Sequence, residues 1–248
     1  MKNDKVVLSD RLKAVMNMVT PGLCVADVGC DHGFLSIALI QNNIASDVIA
    51  CDVNKGPIES CKENLYLYNL ADRVSVRLGD GLKVIEKGEV QSVVIAGMGG
   101  RLMEKIISDS MDVLCEVREL ILQPQSEIAA LRRFLQENGY QIISENMVCE
   151  DDKFYPILKV IHGNMNWDSE VFFRYGKILL REENAVLHEF LIKERDYLQN
   201  LHAELVAYGD FKGAQNRLPE VENHILVNKE ARMLMERPGL FENERVLN

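Results

Sequence analysis

Long apolar runs are missing from this chain. No stretch approaches the roughly 18 to 20 consecutive apolar residues that cross a bilayer, and the opening residues MKNDKVVLSD hold no apolar core of a secretory signal. These absences exclude a membrane-spanning class and predict a cytoplasmic protein. Cationic excess is missing too. With 28 Lys and Arg against 38 Asp and Glu, the net charge is -10, so the chain carries no overall electrostatic footprint for nucleic acid. A polyanionic substrate would need a local basic patch. The six cysteines include no C-x-x-C pair and no His at zinc-like spacing, which excludes the common structural metal sites and leaves no metal expected. They read as reduced thiols of a cytosolic protein, with Cys30 set apart by its place in the loop discussed below.

What the chain does have is material for a core. Hydrophobic residues make up 47% and charged residues 27% of 248 positions, enough for one large domain or a medium domain with a small one. Residues 9–19 place Leu12, Val15, Met16 and Val19 at helical spacing behind Ser9 or Asp10 as cap. Nearly unbroken apolar strands follow at 24–28, 48–52, 74–78, 92–96 and 119–122, separated by helical patterns at 34–41, 57–69, 101–108 and 126–138, with Gly139 as terminator. That alternation predicts an α/β fold with a parallel, Rossmann-like sheet covered on both faces. Two strand-like segments at 140–148 and 155–161, with only the polar turn 149–153 between them, predict an antiparallel hairpin closing the sheet. Beyond His162 the strand signal ends, so domains are expected at 1–162 and 163–248. Residues 172–207 read as one long helix whose seam of Leu187, Leu191, Leu198, Leu201 and Leu205 is interrupted at Glu194. A loop is predicted over 209–219, then a helix over 222–236 carrying Ile225, Leu226, Met233 and Leu234, forming an antiparallel, coiled-coil-like helical hairpin.

The loop after the first strand reads Val25-Ala26-Asp27-Val28-Gly29-Cys30-Asp31-His32-Gly33. Gly29 and Gly33 allow a ligand to approach the backbone closely. The dinucleotide fingerprint G-x-G-x-x-G seats a pyrophosphate on the helix that follows. Here the second glycine position is Asp31, and a carboxylate would repel a pyrophosphate. The ligand predicted is a nucleoside with no phosphate and a positive charge, which describes S-adenosylmethionine. The second strand ends in Cys51-Asp52, where a carboxylate accepts both ribose hydroxyls. After the third strand, Leu78-Gly79-Asp80-Gly81 offers an acceptor for an adenine amino group.

These motifs resemble class I methyltransferases, and more narrowly the bacterial tRNA adenine-22 N1-methyltransferase family. The resemblance rests on Ser9-Asp10-Arg11-Leu12, on the 26–33 loop ending Asp31-His32-Gly33, on Gly79-Asp80-Gly81, on Ile95-Ala96-Gly97-Met98-Gly99-Gly100 and on Leu122-Gln123-Pro124-Gln125, and it runs through the helical C-terminus. It implies that Asp27, Gly29, Cys30, Asp31 and Gly33 line the methionine side of the cofactor, Asp52 with Val53 the ribose, and Asp80 with Gly81 the adenine. Gly97, Met98 and Gly99 would face the transferred methyl group, and Arg11 would reach the cofactor carboxylate.

The fourth strand ends in glycines, with neither the Asn/Asp-Pro-Pro-aromatic run of many exocyclic-amine methylases nor a Pro-Cys nucleophile. Adenine N1 needs neither, because its in-plane lone pair is already available and what it requires is in-line approach in a dry site. Asp31 and His32 are the candidate catalytic residues, positioned to stabilise the cationic product or take a proton. Lys2, Lys5, Lys13, Arg101, Lys105, Arg132 and Arg133 are candidates for phosphate contact. The implied partner is tRNA, presented by the helical region to a monomer or weak dimer, with no membrane association. A small-molecule or protein methyltransferase, which suits the acidic charge, and a catalytically idle cofactor-binding module remain open alternatives at this stage.

Overall fold

A computed structural model describes residues 5–207 and 212–237. The β-branched and small apolar runs pair into one seven-stranded sheet: β1 (Leu23–Val28), β2 (Ala45–Asp52), β3 (Val74–Leu78), β4 (Ser92–Met98), β5 (Glu119–Pro124), β6 (Tyr140–Glu150) and β7 (Lys153–His162). Their order is β3-β2-β1-β4-β5-β7-β6. The first five are parallel, and β7 lies antiparallel between β5 and β6. The predicted hairpin is therefore present, with its second strand inserted next to the parallel block.

Helices cover both faces. On one, α1 (Asp10–Met18), α2 (Phe34–Gln41) and α3 (Lys55–Leu67) bury Val15, Ile37, Leu39 and Leu65 against Val25, Val94 and Ile121. Strand side chains alternate, so Val93, Ile95 and Leu122 face the other side. There α4 (Gly100–Ser108), the short α5 (Met111–Leu114) and α6 (Ile128–Glu137) contribute Met103, Ile107, Leu114, Leu131 and Leu135. Ser9 caps α1 by accepting the Leu12 N–H at 3.3 Å. Pro57 sits in the first turn of α3, where a missing N–H breaks no helical bond.

The chain divides into two compact units, Met1–Met165 and Asn166–Asn248. The second holds α7 (Glu170–Tyr175), α8 (Lys177–Arg181), α9 (Ala185–Ala207) and α10 (Lys212–Glu236). The single helix predicted over 172–207 is thus three. Gly176 at φ 92° separates α7 from α8, and Glu183 at φ 51° ends α8. Asn184 then starts α9 by accepting the N–H groups of Val186 and Leu187 at 3.1 and 3.0 Å. The 209–219 loop is also corrected: residues 208–211 lie outside the described residues, and α10 begins at Lys212 with Pro219 inside it. Proline there removes one helical hydrogen bond. The helix is held further along by burial of Val221, Val227, Ala231 and Met235, while Leu226 and Met233, read earlier as part of its apolar content, are exposed. Along α9 the predicted seam residues Leu187, Leu191 and Leu198 are buried.

The break in that seam has a structural role. Glu194 accepts hydrogen bonds from Arg174 (3.0 Å), the Tyr175 hydroxyl (2.6 Å) and Asn228 Nδ2 (2.9 Å), joining α7, α9 and α10. Burial and the Glu194 charge raise the Tyr175 phenol well above its ordinary value, so it stays a donor. Asn228 also donates to the Leu191 carbonyl, and His202 pairs with Glu222. Rising numbers on α9 meet falling numbers on α10, so the two run antiparallel. No described helix is long and apolar enough to cross a membrane.

Arg132 corrects another expectation. It is not available for phosphate contact, because its guanidinium is buried on α6 and bonds Glu145 Oε1 of β6 through Nε at 3.0 Å and Nη2 at 2.8 Å. Removing one partner of a buried ion pair costs about 3 to 5 kcal/mol. Arg132→Leu should lose stability of that order in urea denaturation followed by circular dichroism, and a loss below about 1 kcal/mol would show that the pair is dispensable.

Candidate active site

The strand order reverses between β1 and β4, and at such a point the carboxyl ends of parallel strands leave a crevice. Two adjoining cavities open there. The larger, about 450 Å³, is lined by Arg11, Asp27, Cys30, Asp31, His32, Phe34, Gly97 and Gln125, with Leu12, Leu35, Pro57 and Ala96. The smaller, about 230 Å³, is lined by Val53, Asp80, Gly81, Leu102 and Ile106. Gly29, Asp52, Asn54 and Met98 face both. Of the cofactor-binding and catalytic residues expected from sequence, Gly33 and Gly99 line neither: Gly33 starts α2 against Cys61, and Gly99 packs on Ser126.

Each wall has a local cause. The loop after β1 is pinned to β2 because the Cys51 carbonyl accepts both the Gly29 N–H (2.8 Å) and the Cys30 N–H (3.1 Å). The Met98 methyl occupies the space where a Cβ on Gly29 would sit. Gly97, at φ +78°, adopts a conformation that side chains resist. The turn after β4 lies directly on the turn after β5. The Gln125 N–H donates to the Met98 carbonyl at 2.9 Å and the Gly100 N–H to the Ser126 carbonyl at 3.0 Å. A Cβ on Gly100 would come within 2.8 Å of that Ser126 oxygen. The two glycine and glutamine motifs are therefore one structure.

The charged groups differ in how they are held. Asp27 is buried and accepts the Ser36 hydroxyl at 2.6 Å; burial pushes its carboxyl up to about 6. Asp52 spends Oδ1 on the Asn54 N–H at 2.8 Å. Asp80 is ion-paired with Lys83 at 2.5 Å, which lowers its carboxyl below the ordinary value. Asp31, at φ 49°, stands 3.6 Å from His32 Nε2 at the exposed rim, and the His32 ring stacks on Phe34. A hydrogen bond with Cys61, together with burial, raises the Cys30 thiol, so it stays protonated and inert.

Arg11 is the cation of the site. Its Nη1 donates to Gln123 Oε1 at 2.8 Å, its backbone N–H to Glu150 Oε1 at 3.1 Å, and its guanidinium lies 5.4 Å from the centroid of the Tyr155 ring. Glu150 Oε2 is 3.8 Å from Nε. Gln123 is fully buried, and its Oε1 also accepts the Gly97 N–H at 3.2 Å.

Comparison with known proteins bears on this geometry. The methyltransferase-domain family matches residues 8–158. The tRNA (adenine(22)-N(1))-methyltransferase of Bacillus subtilis is 32% identical over 232 residues, covering 92% of this chain and 98% of its own. The chain belongs to this methyltransferase family. The crystal structure of the B. subtilis m1A22 tRNA methyltransferase superposes with a TM-score of 0.81 at 31% identity, covering 91% of this chain and 99% of that one. A candidate tRNA (m1A22) methyltransferase of Streptococcus pneumoniae, solved with S-adenosyl-L-methionine, gives a TM-score of 0.81 at 33% identity over 91% of this chain and 99% of its own.

The apolar cavity walls at Leu12, Phe34, Leu35, Leu102 and Ile106, and the grip of Gln123, Glu150 and Tyr155 on Arg11, escaped sequence reasoning. Polar Gln123 ending an apolar strand was the one available signal. Among the expected phosphate contacts, Lys2 lies outside the described residues. Lys5 donates to Asn42, while Lys13, Arg101 and Lys105 pair with Asp10, Glu104 and Asp109; Arg133 is half-buried.

In this family site the buried Asp27 imposes a pH signature. Its folded value of about 6 exceeds the ordinary 3.8, so folding disfavours the ionised form at pH 7. That penalty disappears as pH falls from about 6 to about 4. Wild type should gain up to about 3 kcal/mol relative to Asp27→Asn between pH 7 and pH 4. Urea denaturation of both proteins at the two pH values measures it, and a constant difference would show that burial does not control this carboxyl.

Proposed function

We propose that this protein transfers a methyl group from S-adenosyl-L-methionine to N1 of the adenine at position 22 of tRNA. One observation carries the reading: within a single cavity the chain combines the carboxylates of Asp27 and Asp52 with the Arg11 guanidinium, and leaves Gly29 and Gly97 without side chains. Asp27 and Arg11 match the ammonium and carboxylate of an amino acid, and Asp52 matches the hydroxyls of a ribose. They do not match a pyrophosphate, which would need cations throughout. The cofactor, when bound, supplies an activated methyl group on sulfur.

The residues divide the work. Asp27, largely ionised at pH 7, receives the ammonium together with the backbone around Gly29, Cys30 and Asp31. Arg11, held from behind by Gln123 and Glu150, meets the carboxylate. Asp52, with one oxygen already engaged, turns the other to the ribose hydroxyls beside Val53. Asp80 and Gly81 face the adenine of the cofactor in the smaller cavity, between Leu102 and Ile106. Gly97 and Met98 form the wall next to the methyl group. The substrate base enters past Phe34 and His32. Its N1 attacks with its own lone pair, so positioning and exclusion of water provide the rate, and Asp31 with His32 stabilises the positive charge left on the methylated ring. We assign methyl transfer to residues 1–162 and presentation of tRNA to residues 163–248, because every residue lining the two cavities precedes Ser126.

Incubation with unmodified tRNA transcripts and labelled S-adenosyl-L-methionine, followed by mass spectrometry of nuclease digests, tests the reading. The expected product is 1-methyladenosine at position 22. Cofactor binding without incorporation into any tRNA would leave only a binding module, and a different methylated nucleoside would correct the target. Asp52→Ala should weaken cofactor binding by about 1 to 3 kcal/mol, since two hydroxyls lose a charged acceptor. Titration calorimetry reads this directly, and unchanged affinity would remove Asp52 from the site.

A further inference from the structure

The motif Leu122-Gln123-Pro124-Gln125 places two glutamines at the end of β5 with opposite fates. Gln123 is buried and fully committed: Oε1 accepts from Arg11 and Gly97, and Nε2 donates to the Pro124 carbonyl at 3.1 Å. Gln125 is fixed only through its backbone, whose N–H donates to Met98. Its side chain is exposed to the larger cavity and makes no hydrogen bond among the described residues. Gln125 Nε2 lies 3.7 Å from the point where a Cβ on Gly97 would stand, as does Nη1 of Arg11. A carboxamide with free donor and free acceptor therefore stands beside Gly97, in the wall assigned to the methyl group.

The chemistry of the target narrows what that carboxamide does. An adenine methylated at N1 must leave N1 unpaired and directed at the donor, so the groups left for recognition along that side are N6–H and N7. A glutamine carboxamide matches these as acceptor and donor in a bidentate pair. Guanine presents O6 and N7, two acceptors, and sets one of them against Oε1. Asp31, which lines the same cavity, can accept from N6 but has no proton for N7 when ionised. We propose that Gln125 reads the target adenine, pairing with its N6 and N7 edge while N1 faces the methyl donor. This rests on the methyl-transfer reading above.

The experiment is a cycle between protein and substrate atoms, using the full chain and tRNA carrying adenosine or 7-deazaadenosine at position 22. Wild type and Gln125→Leu are compared by kcat/KM for methylation and by calorimetric Kd for S-adenosyl-L-methionine. The variant should lose about ten- to a hundredfold in kcat/KM on adenosine with a cofactor Kd within about twofold of wild type, which also reports an intact fold. Wild type should lose a comparable factor on 7-deazaadenosine, and the variant should lose little more when N7 is removed, because the pairing is already gone. Full activity of Gln125→Leu on adenosine, no loss by wild type on 7-deazaadenosine, or two losses that simply multiply would each overturn the assignment while leaving methyl transfer intact. A wild-type protein that binds cofactor and methylates no adenosine-22 tRNA overturns the function itself, and this assignment with it.

Discussion

One amide oxygen, Oε1 of Gln123, determines where the parts of the site stand. It accepts from the Arg11 guanidinium and from the Gly97 backbone N–H at a position closed to water. A charge-assisted hydrogen bond in such surroundings is stronger than the same bond in solvent. It ties α1, which precedes the sheet, to the ends of β4 and β5. The Nε2 bond to Pro124 fixes the amide's orientation, so oxygen and nitrogen cannot exchange places without breaking three contacts. Gln123 itself is the buried partner, and a buried amide left without its bonds costs more than a formed bond contributes.

The antiparallel hairpin serves the same point. Glu150 ends β6 and Tyr155 lies near the start of β7, and both contact Arg11 in addition to Gln123. A five-stranded parallel sheet would bind Arg11 at one end only. Inserting β7 beside β5 brings the turn of the hairpin back over α1 and immobilises a long side chain that would otherwise sample many rotamers. The second unit uses the same device once more. Glu194 interrupts an apolar seam to gather Arg174, Tyr175 and Asn228, which fixes the mutual register of three helices where leucines alone would allow sliding.

How much of this was legible follows from the range of each interaction. The parallel strands were readable because a strand buried on both faces is apolar at nearly every position, and the hairpin because no helical pattern separates its strands. The acid-and-glycine loop was readable because its chemistry is contained in a few consecutive residues. The single helix over 172–207 was misread because periodicity passes through Gly176 and Glu183, whose left-handed backbone has no signature in hydrophobic spacing. The start of α10 was hidden by Pro219, a strong local breaker overridden by downstream packing. Arg132 looked like a surface charge beside Arg133, and only Glu145 makes its burial possible. The partners of Arg11 lie 112 and 139 residues away, so the grip that orients it belongs to the fold and not to any motif.

Charge distribution then decides where discrimination must reside. Lys13, Arg101 and Lys105, which a polyanion would seek, are paired with neighbouring carboxylates on the surface. Such pairs contribute about 0 to 1 kcal/mol each, so a phosphate can replace the carboxylate partner at little cost. The exchange leaves a carboxylate beside the phosphate, however, and the chain as a whole is acidic, with a net charge of -10. Electrostatic attraction to the proposed tRNA substrate is therefore weak and indifferent to sequence. Recognition of one adenine must come from short-range pairing inside the cavity, where a base that displaces water makes a mismatched donor or acceptor costly. The polar groups there that remain unsatisfied by the protein itself are the ones able to provide it. A buried side chain such as Gln123, with every bond made, positions others; an exposed carboxamide such as Gln125, with none made, is free to choose.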